Sequence, residues 1–299
     1  MEIKDRSQLI TEQRNPRTLT IDNKTTIEII DSINGEDARV FTAVHREREH
    51  IARAVDLIVD ALKEGGRLIY VGAGTSGRLG ILDASECPPT FGTDPNMIIG
   101  IIAGGEKAMF QAVEGAEDSS DNGARDIQQK EVNNRDIVVG ITTGGTTPYV
   151  IGALLEAKKR NARTIFFCCN PETTPNFEVD VTIRPIVGPE VITGSTRMKA
   201  GTVTKLVLNM LTTTAMIKTG KVYENLMVDL RATNVKLTDR ALRIIVTVTG
   251  ISRNEAKKVL DAAYGNAKVA IVMQKLGLDY AEAKKRLDEN GGFTRKVLQ

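Results

Sequence analysis

Short apolar segments alternate with helical segments in the middle of the chain, and this alternation restricts the fold more than any other feature. Strands that are apolar on both faces and separated by helices are typical of a parallel sheet with helices on both sides. We therefore predict an α/β fold with a parallel five-stranded sheet. The strands are predicted at Arg67–Val71, Met97–Ile102, Asp136–Ile141, Arg163–Cys168 and Val179–Arg184.

The segments on either side of this region differ from it. Residues 1–24 are polar and are expected to form an extended arm. A stripe of apolar residues at helical spacing follows from Val40 to Leu62, so that one long helix is expected over residues 36–64. Asn34 is its expected N-cap, and Gly65-Gly66 are expected to end it. Residues 239–299 read as short helices separated by glycines. The predicted domains are an arm (1–35), an α/β domain (36–237) and a small helical bundle (238–299).

Composition excludes several classes of function. The 299 residues carry a net charge of +2, and aromatic residues make up 4% without any Trp, which argues against nucleic acid as a partner. No apolar run approaches the roughly 20 residues of a membrane helix. The three Cys and two His show no metal-ligand spacing. We expect a cytoplasmic protein that acts on a small molecule without a cofactor or a metal, and without a membrane.

A glycine-rich segment directly follows the first strand. The residues from Gly72 to Gly77, GAGTSG, match the dinucleotide-binding pattern G-x-G-x-x-G. That pattern expects a carboxylate at the end of the second strand, where this chain has Ile102–Gly105 instead. Glycines, hydroxyls and a helix N-terminus together favour a phosphate monoester, with a dinucleotide or a tight structural turn as alternatives. The candidate ligands are Gly74, Thr75, Ser76 and Gly77.

Two further loops have similar chemistry. The second loop, TTGGTTP, follows the third strand and opens a helix at Pro148. The third segment, TGSTRMK, precedes a predicted helix at Met198–Lys218. Because the carboxyl ends of parallel strands line one crevice, the first two loops are expected to meet at a phosphorylated ligand. The candidate contacts from these segments are Thr142, Thr143, Thr146, Thr147 and Ser195.

Three carboxylates near these loops are candidate site residues: Glu86 and Glu117 for acid and base chemistry, and Glu190 for contact with the sugar phosphate. Glu86 lies on the helix after the first loop, which Pro88-Pro89 is expected to end. Glu117 follows the second strand, and Glu190 precedes the third segment. Two carboxylates that reach one crevice from different elements can act as acid and base. Taken alone, each residue fits a surface or capping position better than a catalytic one.

Five stretches of the chain are shared with a known family. They are LITEQRNPRTLTID, RLIYVGAGTSGRLGILDASECPPT, AVEGAEDS, TGSTRMKAGT and GKVYENLMVDLRATN. With these motifs the chain resembles the N-acetylmuramic acid 6-phosphate etherases of the sugar isomerase (SIS) superfamily. The resemblance runs nearly from end to end. It implies an SIS-type αβα sandwich and a C-terminal domain similar to the ubiquitin-associated type.

The resemblance implies a reaction and roles for two carboxylates. The family cleaves the D-lactyl ether at C3 of its substrate by elimination and addition of water, giving N-acetylglucosamine 6-phosphate and D-lactate. Glu86 then corresponds to the proton donor, and Glu117 to the second essential carboxylate. A donor that is protonated near neutral pH needs a pKa above the ordinary ~4.3, which burial or a neighbouring negative charge provides. The resemblance also implies that Ser76 and the second loop bind the phosphate.

One departure from the family and three further expectations remain. The family's second loop usually reads Ser-Gly-Arg-Thr, whereas this chain has Gly144, Gly145, Thr146 and Thr147. An aldose–ketose isomerase is the alternative enzyme, since the fold and the proton chemistry at C2 are shared. A sugar-phosphate sensor is the alternative without catalysis. The resemblance also points to a homodimer.

Overall fold

The computed structural model describes residues 5–230 and 234–299, and the chain forms two compact units. The first unit contains residues 1–85 and 96–211, and the second contains residues 86–95 and 212–299. Among the described residues, no helix combines the length and the apolar character that crossing a membrane requires.

A parallel sheet of five strands forms the centre of the first unit, as predicted. The strand order is β2-β1-β3-β4-β5, and each neighbouring pair is parallel. Each strand lies within one residue or two of its predicted position because nearly every residue in it is buried. The bounds are β1 (Leu68–Gly72), β2 (Ile98–Ile102), β3 (Ile137–Ile141), β4 (Arg163–Phe167) and β5 (Val181–Ile183).

Helices cover both faces of this sheet. The first eight are α1 (Thr26–Asp37), α2 (Arg39–Arg46), α3 (Arg48–Lys63), α4 (Gly74–Phe91), α5 (Lys107–Phe110), α6 (Ser120–Gln129), α7 (Pro148–Lys159) and α8 (Lys199–Lys218). Ile69 and Val138 belong to a buried cluster with residues of α6 and α7. On the opposite face, Gly80 of α4 packs against Tyr70, where a Cβ on the glycine would stand 2.9 Å from the tyrosine Cβ.

Helices α6 and α7 pack closely because each offers a glycine to the other. A Cβ on Gly123 would stand 1.9 Å from the carbonyl oxygen of Tyr149, and one on Gly152 would stand 2.1 Å from that of Ser120. The Tyr149 hydroxyl also donates to Asp126 across the same interface. A 3-10 turn at Ala116–Asp118 directly precedes α6. The turn that carries Glu117 therefore precedes a helix, α6, that packs against α7, and α7 follows the second loop.

The N-terminal region differs from the prediction of an arm followed by one long helix. Helix α1 begins at Thr26, inside the predicted arm, and the helical stretch is interrupted at Ala38 and Glu47. Thr25 and Glu28 form a capping box that starts α1, and this signal is present in the sequence. The helix escaped prediction because its apolar residues Ile27 and Ile30 are largely exposed and leave no clear core stripe.

Helix α4 also differs from its prediction, since it continues through Pro88 and Pro89 to Phe91. Proline lacks an N–H, but its fixed φ is compatible with a helix. The two prolines lie in the final turns, where only the hydrogen bonds of two preceding carbonyl groups are lost. The Gly92 N–H donates to the Pro88 carbonyl at 2.9 Å and closes the last turn.

The second unit contains a bundle of short helices, as expected from the glycine spacing. The helices are α9 (Val235–Thr249), α10 (Arg253–Ala262), α11 (Ala267–Leu276), α12 (Tyr280–Glu289) and α13 (Thr294–Leu298). Val228 and Leu230 belong to the core of this bundle. The unit therefore includes residues before the predicted boundary at 237/238, because these apolar side chains are needed to complete its core.

Lys268 connects three parts of the second unit. Its buried ammonium donates to the carbonyl oxygens of Gly220 (2.8 Å) and Gly292 (3.1 Å), and pairs with Asp229 at 2.9 Å. Burial lowers the pKa of Lys268, and the Asp229 carboxylate opposes that effect. All three ammonium protons thus have acceptors, so this lysine is a structural contact of the bundle.

Candidate functional site

The first and second loops leave the sheet at neighbouring positions. Gly72 and Ile141 end β1 and β3 and are paired in register. The chain reverses its direction of travel across the sheet between these two strands, and such a switch point is where open α/β sheets bind ligands. Helix α4 follows the first loop, and α7 follows the second.

Close backbone approach explains the glycines of the first loop. A Cβ on Gly72 would stand 2.6 Å from the Gly77 nitrogen, and a Cβ on Gly77 would stand 2.7 Å from the Gly72 oxygen. Gly74 has a φ of +52°, which disfavours a side chain. The strand end and the start of α4 are therefore pressed together, so that Thr75 and Ser76 stand at the beginning of the helix.

The second loop is closed by a hydrogen bond between its own hydroxyl groups. Thr142 Oγ1 and Thr147 Oγ1 are 2.8 Å apart, and the Gly145 N–H donates to the Thr142 carbonyl at 3.0 Å. Thr147 occupies the N-cap position of α7, but its hydroxyl makes no cap hydrogen bond. The Thr147 side chain therefore does not cap the first N–H groups of α7.

A polar cleft of about 150 Å³ lies between these loops. It contains most of the predicted ligands of the first two loops together with the Glu117 carboxylate, so the fold does bring these segments to one place. Thr196 also lines it, whereas the contact predicted from the sequence is its neighbour Ser195. The lining residues are Ala73, Gly74, Thr75, Ser76, Glu117, Ile141, Thr142, Thr143, Thr147 and Thr196.

Five predicted site residues do not line this cleft. Gly77 is used for the close approach to Gly72, and the Thr146 side chain is exposed. Ser195 is half-buried one position before Thr196. Glu86 lies on α4 and is exposed. The predicted roles of these residues in binding or catalysis stay predictions.

The fifth residue, Glu190, is fully buried and holds the start of α8. Its two carboxylate oxygens accept the backbone N–H groups of Lys199 (3.0 Å) and Ala200 (2.9 Å). Burial raises the pKa of Glu190, and these two hydrogen bonds act in the opposite direction. Because both oxygens are occupied at a helix N-terminus, the visible contacts of Glu190 are structural.

The cleft has the chemistry of an anion site with one carboxylate at its edge. Helices α4 and α7 begin at the cleft, and neither has an acidic residue in its first turn, so their partial positive ends are not neutralised there. Glu117 is the one charged residue among the lining residues. Within the described residues, no three His, Cys, Asp or Glu side chains gather at a geometry that could hold a metal ion.

Three domain families match parts of the chain. The N-terminal SIS domain of glucokinase regulatory protein matches residues 50–158, and the SIS domain matches residues 114–214. The C-terminal lid domain of glucokinase regulatory protein matches residues 224–277. The first two matches cover the sheet and both glycine-rich loops. The third lies in the helical unit and, like that unit, begins before the boundary predicted from the sequence.

Comparison with complete proteins identifies the family. The chain is 52% identical to N-acetylmuramic acid 6-phosphate etherase 2 of Vibrio cholerae over 98% of its own length and 95% of the relative's. It is 53% identical to the N-acetylmuramic acid 6-phosphate etherase of Yersinia pestis over 97% and 98% of the two chains. A phosphoheptose isomerase of Francisella tularensis shares the fold, with a TM-score of 0.50 and 18% identity over 63% of this chain and 98% of that one. The chain therefore belongs to the N-acetylmuramic acid 6-phosphate etherase family.

Proposed function

We propose that this protein is a carbon–oxygen lyase that cleaves the D-lactyl ether of N-acetylmuramic acid 6-phosphate. The products are N-acetylglucosamine 6-phosphate and D-lactate, a step of amino-sugar recycling. Family membership supports this proposal, because identity above 50% extends over nearly the whole chain. The observation that carries it is the position of Glu117 in a cleft otherwise lined by hydroxyl-bearing and glycine residues from both loops.

The 6-phosphate is assigned to the two loops. Ser76 and Thr75 stand at the start of α4, and Thr142, Thr143 and Thr147 line the cleft beside them. Backbone N–H groups of the helix ends and these hydroxyls are donors suited to a phosphate dianion. No cation is needed among them, since the helix dipoles already favour negative charge.

The reaction needs an acid and a base but no redox step. In the open-chain sugar, the C1 aldehyde acidifies the proton on C2. One carboxylate removes that proton, and the electron pair forms the C2–C3 double bond as the C3–O bond breaks. The departing lactate oxygen takes a proton from the second carboxyl group. Water then adds across the double bond, with its oxygen at C3 and a proton at C2, which restores both carboxyl groups.

We assign Glu117 and Glu86 to these two proton transfers, with Glu86 as the donor to lactate. Glu117 already lines the cleft. Glu86 follows Gly74 by twelve residues on α4, and twelve residues of α-helix rise about 18 Å. A single helix cannot place both its first residue and Glu86 at one small ligand. We therefore propose a homodimer in which Glu86 reaches the cleft of the other copy.

Exposed apolar side chains support the proposed homodimer, and the cysteines support a reducing compartment. Ile27, Ile30 and Phe41 of α1 and α2 are all more than half exposed in the single chain. Such residues are common where two copies of a chain meet. All three cysteines are buried and form no disulfide, which suits a reducing compartment, and we propose the cytoplasm.

Incubation with N-acetylmuramic acid 6-phosphate tests the function directly. We expect stoichiometric D-lactate and N-acetylglucosamine 6-phosphate, and no lactate from the unphosphorylated sugar. In D₂O, the product should carry deuterium at C2, because the elimination exchanges that hydrogen. A ketose product without lactate would instead identify an isomerase. Tight binding of the sugar phosphate with no turnover would identify a sensor.

A further inference from the structure

The N-terminal residues 9–18 contact two of the segments that surround the cleft. Leu9 Cδ1 and Thr11 Oγ1 lie 3.8 and 4.0 Å from the position of a Cβ on Gly144, in the second loop. On the other side, Glu12 Oε2 lies 3.1 Å from the position of a Cβ on Gly194, two residues before Thr196. This stretch of chain therefore lies against both the second loop and the third segment.

Two buried side chains fix residues 9–18 to the residues just before the third segment. The Asn15 amide donates to the Pro189 carbonyl at 3.2 Å, and the Thr18 hydroxyl donates to the Val191 carbonyl at 2.9 Å. Both side chains are buried. These are contacts over more than 170 residues of sequence, so they do not arise from a local turn.

The Pro189 carbonyl group also accepts a hydrogen bond from Lys199, the first residue of α8. The Lys199 ammonium, which is fully buried, donates to the Pro189 carbonyl at 2.7 Å and pairs with Glu36 of α1. Arg17 donates to the same Glu36 carboxylate at 2.9 Å. Lys199, the last residue of the segment from Pro189 to Lys199, thus bonds to the carbonyl oxygen of its first residue. Thr196 lies between these two residues in sequence.

The buried ion pair between Lys199 and Glu36 is not explained by a gain in stability alone. Removing two charges from water costs several kcal/mol for each ion, and well-packed apolar residues are often as stable. A buried lysine that reaches one backbone carbonyl has a more specific effect, because it sets where that carbonyl lies. In this chain the carbonyl belongs to the segment that brings Thr196 to the cleft.

We propose that residues 9–18 are a positioning element of the ligand site. Asn15 and Thr18, acting on the carbonyl groups of Pro189 and Val191, hold Thr196 at the distance from the second loop that the ligand requires. Thr18 is a positioning residue and touches no ligand itself. The inference rests on the proposed sugar-phosphate site and adds to it the element that sets its width.

Thr18→Val tests the proposal with the smallest change of shape. The variant keeps the β-branched side chain but loses the hydroxyl that bonds to the Val191 carbonyl. One such hydrogen bond is worth about 0.5–1.5 kcal/mol, which sets the upper limit for the loss, so we expect N-acetylglucosamine 6-phosphate to bind more weakly by a factor of up to about 12. The KM for the phosphorylated substrate should rise by the same factor, with kcat changed less. Thr18→Ser, which keeps the hydroxyl, should restore both values.

A second threonine provides the matched control. Thr204 is also fully buried, and its hydroxyl donates to the Ala200 carbonyl inside α8 at 2.7 Å. Thr204→Val should lower the melting temperature about as much as Thr18→Val while leaving product affinity unchanged. Equal affinity losses in both variants, or none in Thr18→Val, would overturn the positioning role. If the unmutated protein binds the phosphorylated and unphosphorylated sugars equally, the proposed function fails instead, so the two failures are distinguishable.

Discussion

The hydroxyl oxygens of Thr142 and Thr147 lie 2.8 Å apart across the second loop, and both residues line the cleft. A hydroxyl group has one proton, so one of the two donates within the loop and only the other keeps its proton for a ligand. Ser76 differs, because its hydroxyl makes no hydrogen bond to any described residue. The free hydroxyl donor at the start of α4 is therefore expected to matter most for an anion.

The first prediction follows from this difference. Ser76→Ala should weaken binding of N-acetylglucosamine 6-phosphate about 10- to 150-fold, since a hydrogen bond to a charged group is worth about 1.5–3 kcal/mol. Thr147→Val should weaken binding of the same ligand less than Ser76→Ala does. Isothermal titration of both variants measures this, with unphosphorylated N-acetylglucosamine as the control ligand. Unchanged affinity in Ser76→Ala would remove the first loop from the phosphate site.

The second prediction concerns the two adjacent glycines of the second loop. Gly144 does not have the positive φ that excludes side chains, and a Cβ there would meet its neighbours at 3.8 Å or more, so Gly144→Ser should fold normally. Its hydroxyl would come within reach of the buried Thr11 hydroxyl, which has no hydrogen-bond partner among the described residues. We expect a higher melting temperature and tighter binding of the phosphorylated sugar.

Gly145→Ser is the matched control for that substitution. Gly145 has a φ of +79°, and a Cβ there would stand 2.4 Å from the Thr173 methyl group. This variant should be destabilised by both effects. In the Thr11→Val background, Gly144→Ser should lose its stabilising effect. A gain that persists without the Thr11 hydroxyl would contradict the predicted pairing.

Much of the fold could be predicted because it depends on local pattern. Strands β1 and β3 are fully buried along their length, so their sequences are continuous apolar runs that are easily recognised. The position of the two loops followed from the parallel topology alone. Helix α1 was missed because its apolar stripe is weak. Helix α4 was expected to end at Pro88-Pro89, but it continues to Phe91 because two prolines in the final turns remove only two hydrogen bonds.

The candidate site was less predictable because tertiary contacts decide which side chain faces the cleft. Ser195 and Thr196 carry the same chemistry at adjacent positions, and the folded backbone after the turn at Gly194 brings Thr196 rather than Ser195 to the cleft. Glu190 resembled a ligand in the sequence, yet the structure uses its carboxylate to cap α8. Neither outcome has a signal in residue type or spacing.

The third prediction is a dependence of stability on acid. Hydrogen bonds from Arg17, assisted by Lys199, hold the pKa of Glu36 at about 2, although burial opposes them. A carboxyl group whose pKa is lowered on folding stabilises the fold above its unfolded pKa of 4.5, and this contribution is lost as the pH falls towards 2. Glu36→Gln should therefore be less stable at pH 7, and its stability should fall less between pH 5 and pH 2. Urea unfolding at several pH values measures the difference, and parallel curves for the two proteins would contradict it.

The fourth prediction concerns the two carboxyl groups of the reaction. Glu117→Gln and Glu86→Gln keep the side-chain volume but cannot accept or deliver the proton. Each should reduce lactate release by at least about 100-fold, the usual contribution of a proton transfer. Both side chains are exposed in the single chain, so the fold should be unaffected, as circular dichroism would show. Activity within tenfold of the unmutated protein would remove that residue from the mechanism.

The fifth prediction separates a site built within one chain from one shared by two copies. Glu86 lies about 18 Å along α4 from Gly74, whereas Glu117 shares the cleft with that glycine. If Glu86 comes from the partner, a dimer of one Glu86→Gln chain and one Glu117→Gln chain has one intact site and one doubly altered site. An equal mixture, unfolded and refolded together, contains these mixed dimers as half of the population, so it should recover about a quarter of the unmutated activity. Native mass spectrometry would confirm that mixed dimers have formed. Mixed dimers with no more activity than either parent would show that both carboxyl groups act within the same chain.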